Sequence, residues 1–169
     1  SGTHLLDFRF DAWGGKYPSE KDNQVTGNLY EAGVFGGTPI TNIDLVLEGG
    51  SIESDGKGTL LTTDSCLFDG LRNKQLGRTQ VETQRTGLFG LQRILSLKHG
   101  YVAGDDTNGH IDTLARFCNE DTIAYVACND TQDEHYQALK AMEDELKTFT
   151  TLGGQPYKLQ ALPIPEPIY

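Results

Sequence analysis

An α/β fold is predicted for this chain by three observations: a segment with helical apolar periodicity, several short β-prone runs, and glycine-rich or Asx-rich turns between them. In chain order, the first readable element is a hairpin. Leu45 to Leu47 is a short apolar run interrupted by Glu48-Gly49-Gly50, and Ser51 to Ser54 then leads through Asp55-Gly56-Lys57-Gly58 into Thr59 to Thr63. Asp-Gly tolerates the positive φ angles of a tight turn, so two strands are expected to meet there. A helix is expected from Thr79 to Ser96, with Val81, Leu88, Leu91 and Leu95 on one face. Gly87 and Gly90 weaken it by about 1 kcal/mol each relative to alanine. A second strand pair is expected from Ile111 to Cys118 and from Thr122 to Cys128, flanking the turn-forming Asn119-Glu120-Asp121. Neither run alternates cleanly, so both strands read as buried. From Asp133 to Phe149, Leu139, Met142, Leu146 and Phe149 recur at steps of three and four, the pattern of an amphipathic helix. Thr131 with Glu134 has the form of a capping box at its start. Tyr157 to Leu162 reads as a strand that leaves into the extended Pro-rich PIPEP.

The chain has 169 residues, of which 24 are acidic and 14 basic, giving a net charge of −10 and a sequence pI near 4.7. That length suits one domain. The acidic balance argues against a phosphate-tracking surface and hence against nucleic acid as a partner; a cationic small ligand suits it better. No stretch approaches the roughly 18 consecutive apolar residues of a membrane span. Three cysteines without CxxC spacing, Cys66, Cys118 and Cys128, favour neither a disulfide framework nor structural zinc, and a reducing compartment, the cytoplasm, is expected.

The segment Gly104-Asp105-Asp106-Thr107-Asn108-Gly109-His110-Ile111-Asp112 gathers three carboxylates and an imidazole, with Asp112 closing it. His110 and Asp112 are two apart, which on a strand would put both on one face. A carboxylate pair suits the planar fork of a guanidinium, and an imidazole beside it can move protons near neutral pH. Taken alone, GDDTNG is also an ordinary surface turn. Glu48, ending an apolar run before two glycines, is placed as an acid that could orient a histidine, although on its own it fits a solvated strand end better. Trp13, before Gly14-Gly15, would line a pocket or simply pack. Zinc and calcium fare worse, because neither an HExxH or Cys/His set nor a twelve-residue calcium loop is present. Cys66 follows a polar Thr-Thr-Asp-Ser turn, whereas Cys118 and Cys128 sit in runs read as buried and therefore inert.

At LVLEGGSIESDGKGTLLTTDSCL (Leu45 to Leu67) and GDDTNGHIDTLARF (Gly104 to Phe117), the chain strongly resembles the agmatine deiminase and Porphyromonas-type peptidylarginine deiminase family. FDAWGGKY (Phe10 to Tyr17), the helix after VACNDTQDEHY and the terminal LPIPEP are similar in the same order. The resemblance implies a pentein, a propeller-like ring of ββαβ-type units around a central pocket, of which residues 1–169 would form an incomplete part. It implies hydrolysis of a guanidino group to a ureido group with release of ammonia, without metal or organic cofactor. It assigns His110 as general acid/base, Glu48 as its orienting acid, and Asp112 with Asp106 as the grip on the guanidinium. In such enzymes a cysteine thiolate attacks the guanidinium carbon.

Two family features are missing. The nucleophile of the family lies in a Gly-Gly-x-x-His-Cys context, and an Asp-x-Gly-Pro motif precedes the FDAWGG region; neither occurs in these 169 residues. The expected reading is an internal segment of an agmatine deiminase, an enzyme that forms N-carbamoylputrescine in putrescine biosynthesis. The segment alone is expected to be inactive and prone to self-association through surfaces that other units would cover. Deimination of arginine or peptidylarginine is the alternative within the family, and a non-catalytic guanidino- or polyamine-binding module the alternative outside it.

Overall fold

The computed structural model describes residues 2–68, 72–73 and 75–165. Their strands form three separate sheets. In the first, β1 (Leu5–Arg9) runs parallel to β2 (Ile40–Val46), and the crossover between them carries a tight turn at Ala12–Gly15 and helix α1 (Val25–Glu31). In the second, β3 (Glu53–Ser54) pairs antiparallel with β4 (Thr59–Thr63), and β4 pairs parallel with β5 (Arg93–Leu97) after helices α2 (Asp64–Phe68) and α3 (Arg78–Phe89). The third repeats this plan: β6 (Ala115–Asn119) is antiparallel to β7 (Thr122–Ala127), and β8 (Lys158–Pro163) returns parallel to β7 after helix α4 (Tyr136–Leu146). The repeated strand–strand–helix–strand order is the ββαβ unit of a pentein, and the α/β fold expected from the sequence is present.

The predicted hairpin forms where Asp-Gly places it. Asp55 Oδ1 accepts from the N–H groups of Lys57 and Thr59 at 2.8 and 2.9 Å, while Gly56 and Gly58 take φ of 67° and 109°. Glu53 then faces Leu61 and Ser54 faces Leu60. The helix expected from Thr79 to Ser96 stops at Phe89. Gly90 adopts the left-handed conformation, φ 63°, which closes the helix, and residues 93–97 use their β-branched and apolar side chains as β5. Gly87 is tolerated inside; Gly90 terminates.

Around α4 the periodic residues behave as predicted: Leu139, Met142 and Leu146 are buried. The capping box does not form. Asp133 supplants it, its Oδ1 accepting from the backbone and the ring Nδ1 of His135, which occupies the N-cap. The expected strand from Ile111 begins later, because Ile111–Thr113 is a single 3-10 turn. The pair is also less buried than expected. β6 is largely exposed beyond Ala115, with Cys118 exposed, since only one face of this two-sided edge meets the core.

That core is one cluster. Ile123, Tyr125, Leu139, Met142 and Leu146 of the third unit pack with Leu61 and Leu97 of the second and with Ile111 and Leu114 between them. The segment from Lys98 to Asp105 runs across this packing and is tied down by α4. Glu145 accepts from the N–H groups of Lys98 and His99, and His135 Nε2 accepts from Ala103 N–H at 2.9 Å. The loop that follows therefore starts from a fixed base.

Candidate active site

Four segments meet where β2 ends. Glu48 leaves the strand in extended conformation and enters a 3-10 turn, Gly49–Ser51, in which Ser51 N–H and Oγ both return to the Glu48 carbonyl. The side chain, 5 % exposed, accepts three hydrogen bonds. Oε1 accepts from Trp13 N–H at 2.9 Å; Oε2 accepts from Arg72 Nη2 at 2.9 Å and lies 2.6 Å from His110 Nε2.

The loop from Gly104 to His110 is shaped by its own acid. Asp105 accepts from Thr107 N–H and Oγ1 through one oxygen and from Gly109 N–H through the other, folding the chain back on itself. Asn108 and Gly109 take φ of 62° and 84°, and Thr63 Oγ1 at the end of β4 donates to the Gly109 carbonyl at 2.7 Å. His110 then enters the Ile111–Thr113 turn as its N-cap residue. Its own N–H donates to Thr107 Oγ1, and its carbonyl accepts from Thr113 Oγ1.

The third segment is the turn at Ala12–Gly15, in which Ala12, Trp13, Gly14 and Gly15 all have positive φ, from 54° to 85°. A left-handed backbone costs about 1–2 kcal/mol for each non-glycine residue, so it persists only where neighbours hold it. Here Asp11 accepts from Gly14 N–H, Glu48 takes the N–H of Trp13, Asn108 Nδ2 donates to the Trp13 carbonyl, and Lys16 Nζ donates to the carbonyl of Asp106. The Trp13 ring stands edge-on to Phe10 and Tyr17.

Charge in this cluster is ordered. Burial pushes the Glu48 carboxyl up, but hydrogen bonds from His110 and Arg72, with the Arg72 charge, outweigh it and bring its pKa down to about 2. Asp11 moves the other way: burial raises it, against the Gly14 N–H, and the neighbouring Glu48 carboxylate raises it further. Because Glu48 is an ionised acceptor, the proton of a neutral His110 sits on Nε2. Nδ1 is then the atom left to work. It faces Asp112 Oδ1 at 3.8 Å, too far for a hydrogen bond, and a Cβ on Gly50 would lie 2.4 Å from Nδ1 and 2.6 Å from Asp112 Oδ2. Gly50 thus keeps the space between imidazole and carboxylate open.

The structure brings together His110, Glu48 and Asp112, though by a different local geometry from that expected. His110 and Asp112 share a direction through the entry of a 3-10 turn and not through a strand. His110 is also more buried, at 6 % exposure, than a solvent-reachable base would be. Asp106 is exposed and meets the cluster through its backbone carbonyl, and Trp13 touches Glu48 through its N–H and not through its ring. Cys66 is buried on α2 with Sγ 3.4 Å from the Gly109 carbonyl, and Cys128 donates to the Asp130 carbonyl. Among the described residues, no three His, Cys, Asp or Glu side chains are grouped to hold a metal ion, and no helix is long and apolar enough to cross a membrane. Sequence reasoning missed Arg72 altogether, along with the role of Asp105; an arginine in LRN after an apolar helix carries no periodic signal.

The sequence profile of the Porphyromonas-type peptidyl-arginine deiminases matches residues 2–169. The chain belongs to that family. It is 31% identical to an agmatine deiminase of Pseudomonas fluorescens over 97% of its own length and 45% of the relative's. Among solved structures, it superposes with a TM-score of 0.92 on a Porphyromonas gingivalis protein assigned provisionally as an arginine deiminase, 49% identical over 97% of this chain and 49% of that one. It also superposes with a TM-score of 0.88 on a Cys-to-Ser variant of C. jejuni agmatine deiminase with substrate bound, 44% identical over 97% of this chain and 47% of that one. The chain thus spans about half the length of the relatives it matches.

Proposed function

We propose that this chain supplies the acid/base and cation-binding part of an agmatine deiminase, which converts agmatine and water to N-carbamoylputrescine and ammonia. The observation that supports this most is the His110 imidazole, fixed at Nε2 by a buried ionised Glu48 and leaving Nδ1 beside the exposed-rim carboxylate of Asp112. Asp112, with Asp106, would accept N–H bonds from the planar guanidinium, holding its carbon open to attack. A cysteine thiol gives its proton to His110 Nδ1 and, as the thiolate, forms a C–S bond to that carbon. His110 Nδ1 then gives its proton to the nitrogen that departs as ammonia. The neutral Nδ1 next takes a proton from the water that displaces the thiolate, and the ureido product leaves. Trp13 would stand at the edge of the cation's path.

None of the three cysteines is assigned the nucleophile. Cys66 is buried against the Gly109 carbonyl, and Cys118 and Cys128 belong to the third unit away from the imidazole's hydrogen-bond partners. The thiolate is therefore proposed to come from sequence beyond these residues, and the 169-residue chain by itself to be inactive. Deimination of arginine or peptidylarginine is the second reading, favoured by the 49% identity to the P. gingivalis protein.

Ammonia release from agmatine, arginine and a peptidylarginine, measured for the complete gene product and the 169-residue chain side by side, tests these readings. Agmatine turnover by the longer form alone is expected. Turnover by the short chain would place the nucleophile on a resident cysteine, preference for arginine would favour the second reading, and agmatine binding without turnover in both would leave a cation-binding module.

A further inference from the structure

Arg72 is buried, and among the described residues its guanidinium reaches three segments. Nη2 donates to Glu48 Oε2 at 2.9 Å and to the Thr107 carbonyl at 2.7 Å, while Nη1 lies 3.4 Å from the Ser65 carbonyl. The adjacent Asn73 accepts from Val46 N–H at 2.9 Å and donates to the Val46 carbonyl at 3.1 Å, so its amide brackets the backbone two residues before Glu48. One dipeptide thereby grips both the strand end that carries Glu48 and the loop that carries His110. A planar fork can do this where a point charge cannot, because separate N–H vectors are aimed at separate acceptors.

We propose that Arg72 is a positioning residue of the site: it keeps Glu48 ionised and in register with Thr107, so that Glu48 holds His110 with Nε2 protonated and Nδ1 facing Asp112. The role in turnover rests on the deiminase reading above; the state of Glu48 and His110 does not. The groups that face Glu48 are Asp11 from the end of β1, His110 from the loop, and Arg72. Beyond them Asp105 and Asp112 face His110, and Arg85 of α3 acts on Arg72 from the other side. With Arg72 removed, Glu48 keeps one cationic partner only when His110 is protonated, and the Asp11 carboxyl beside it becomes a competing acid. The imidazole would then sample both tautomers.

The test uses the complete gene product, its Arg72→Lys and Arg72→Met variants, and two independent readouts. In the wild type, nitrogen-15 shifts are expected to show the Nε2–H tautomer of His110, and carbon-13 shifts a Glu48 carboxylate still ionised at pH 4. In Arg72→Met, kcat for agmatine is expected to fall about 10–100-fold, the usual cost of losing an outer partner that orients a histidine. KM should stay within about twofold, as befits a group that does not touch substrate. The acid limb of the kcat profile should move to higher pH, and Arg72→Lys should restore that limb while recovering kcat only in part. A folded Arg72→Met protein with unchanged kcat, or with reduced kcat and an unmoved acid limb, would overturn the proposal. So would a wild-type Glu48 that titrates at its ordinary value or a His110 with its proton on Nδ1. If Arg72→Met fails to fold, the lysine variant and the wild-type spectra decide. Absence of agmatine turnover in the wild type would sink the agmatine reading and leave the spectra to judge Arg72.

Discussion

In the third unit, α4 lays Leu139, Met142 and Leu146 against β7, whereas α3 of the second unit buries Val81 together with the whole guanidinium of Arg85. The two units share strand order and helix placement. Their interiors differ in polarity: the third unit supplies Ile123, Tyr125, Leu139, Met142 and Leu146 to the apolar cluster, whereas the second adds Leu61 and Leu97 to it but also buries Thr59, Thr62, Thr63, Arg72, Asn73 and Arg85. Apolar burial is insensitive to direction and supplies stability, whereas buried polar groups must each find a partner and so fix geometry. The same topology therefore serves as anchor in one unit and as precise scaffold in the next.

If that division holds, function and stability should separate by unit. The largest effect is expected from Asp112→Asn, which should lower turnover by the complete gene product about a thousandfold or more, the scale of losing a charge that binds the reacting group. Its thermal midpoint should hardly move because the side chain is exposed. Near-normal turnover would remove Asp112 from the site. Leu139→Ala, in the anchor, should cost about 2–5 kcal/mol of unfolding free energy in urea, as deletions from a tight core do. Its KM should be unchanged, and a loss below about 1 kcal/mol would mean that the cluster is loosely packed.

Gly50→Ala sharpens the contrast from the other side. A methyl group at 2.4 Å from Nδ1 must displace the imidazole or close the gap to Asp112, so about a hundredfold loss of kcat/KM is expected, roughly 2.7 kcal/mol of transition-state stabilisation. Wild-type kinetics would show that the space is not used.

A pH test comes next in size. The Glu48 pKa is depressed to about 2 from an ordinary 4.5, so its stabilisation is complete above pH 4.5 and is lost as pH falls toward 2. Asp11, whose pKa is raised, partly offsets this by gaining its proton earlier on the way down. The urea-midpoint difference between wild type and Glu48→Gln should therefore shrink across that window, and a difference independent of pH would contradict the ionised pair. The smallest effect is expected for Arg85→Met. Burial brings the Arg85 pKa down to about 10, the Cys66 thiol opposing and the Arg72 charge adding to that shift, while Nε and Nη1 have no hydrogen-bond partner among the described residues. Replacing the guanidinium by an apolar side chain should raise unfolding free energy by about 1 kcal/mol. A loss of that size would show that the charge is paired through bound water.

The legibility of the sequence follows the same division. Periodicity marked Leu139, Met142 and Leu146 because apolar burial repeats with the helix, and Asp-Gly marked the Asp55–Gly58 turn because few residues accept its angles. In the candidate site, Glu48, His110 and Asp112 were legible as two acids and an imidazole, and the structure brings them together. Their geometry was not legible: the strand expected around His110 is a 3-10 turn, since Asp105 and Thr107 capture the preceding amides. Arg72 could not be read because its partners, Glu48, Ser65 and Thr107, are set by long-range folding and leave no local spacing. The Thr131–Glu134 pattern failed for a nearer reason, as Asp133 takes the His135 amide instead and the helix begins at Tyr136.

The turn at Ala12–Gly15 has one further consequence, a stereochemical one. Its backbone runs in the mirror-image sense, with Gly15 at φ 84°. That conformation is the natural home of a D-amino acid. In a chemically synthesised chain, D-alanine at position 15 should fit without strain and restrict the unfolded state, whereas L-alanine should not. At this corner the choice of glycine is a choice of handedness.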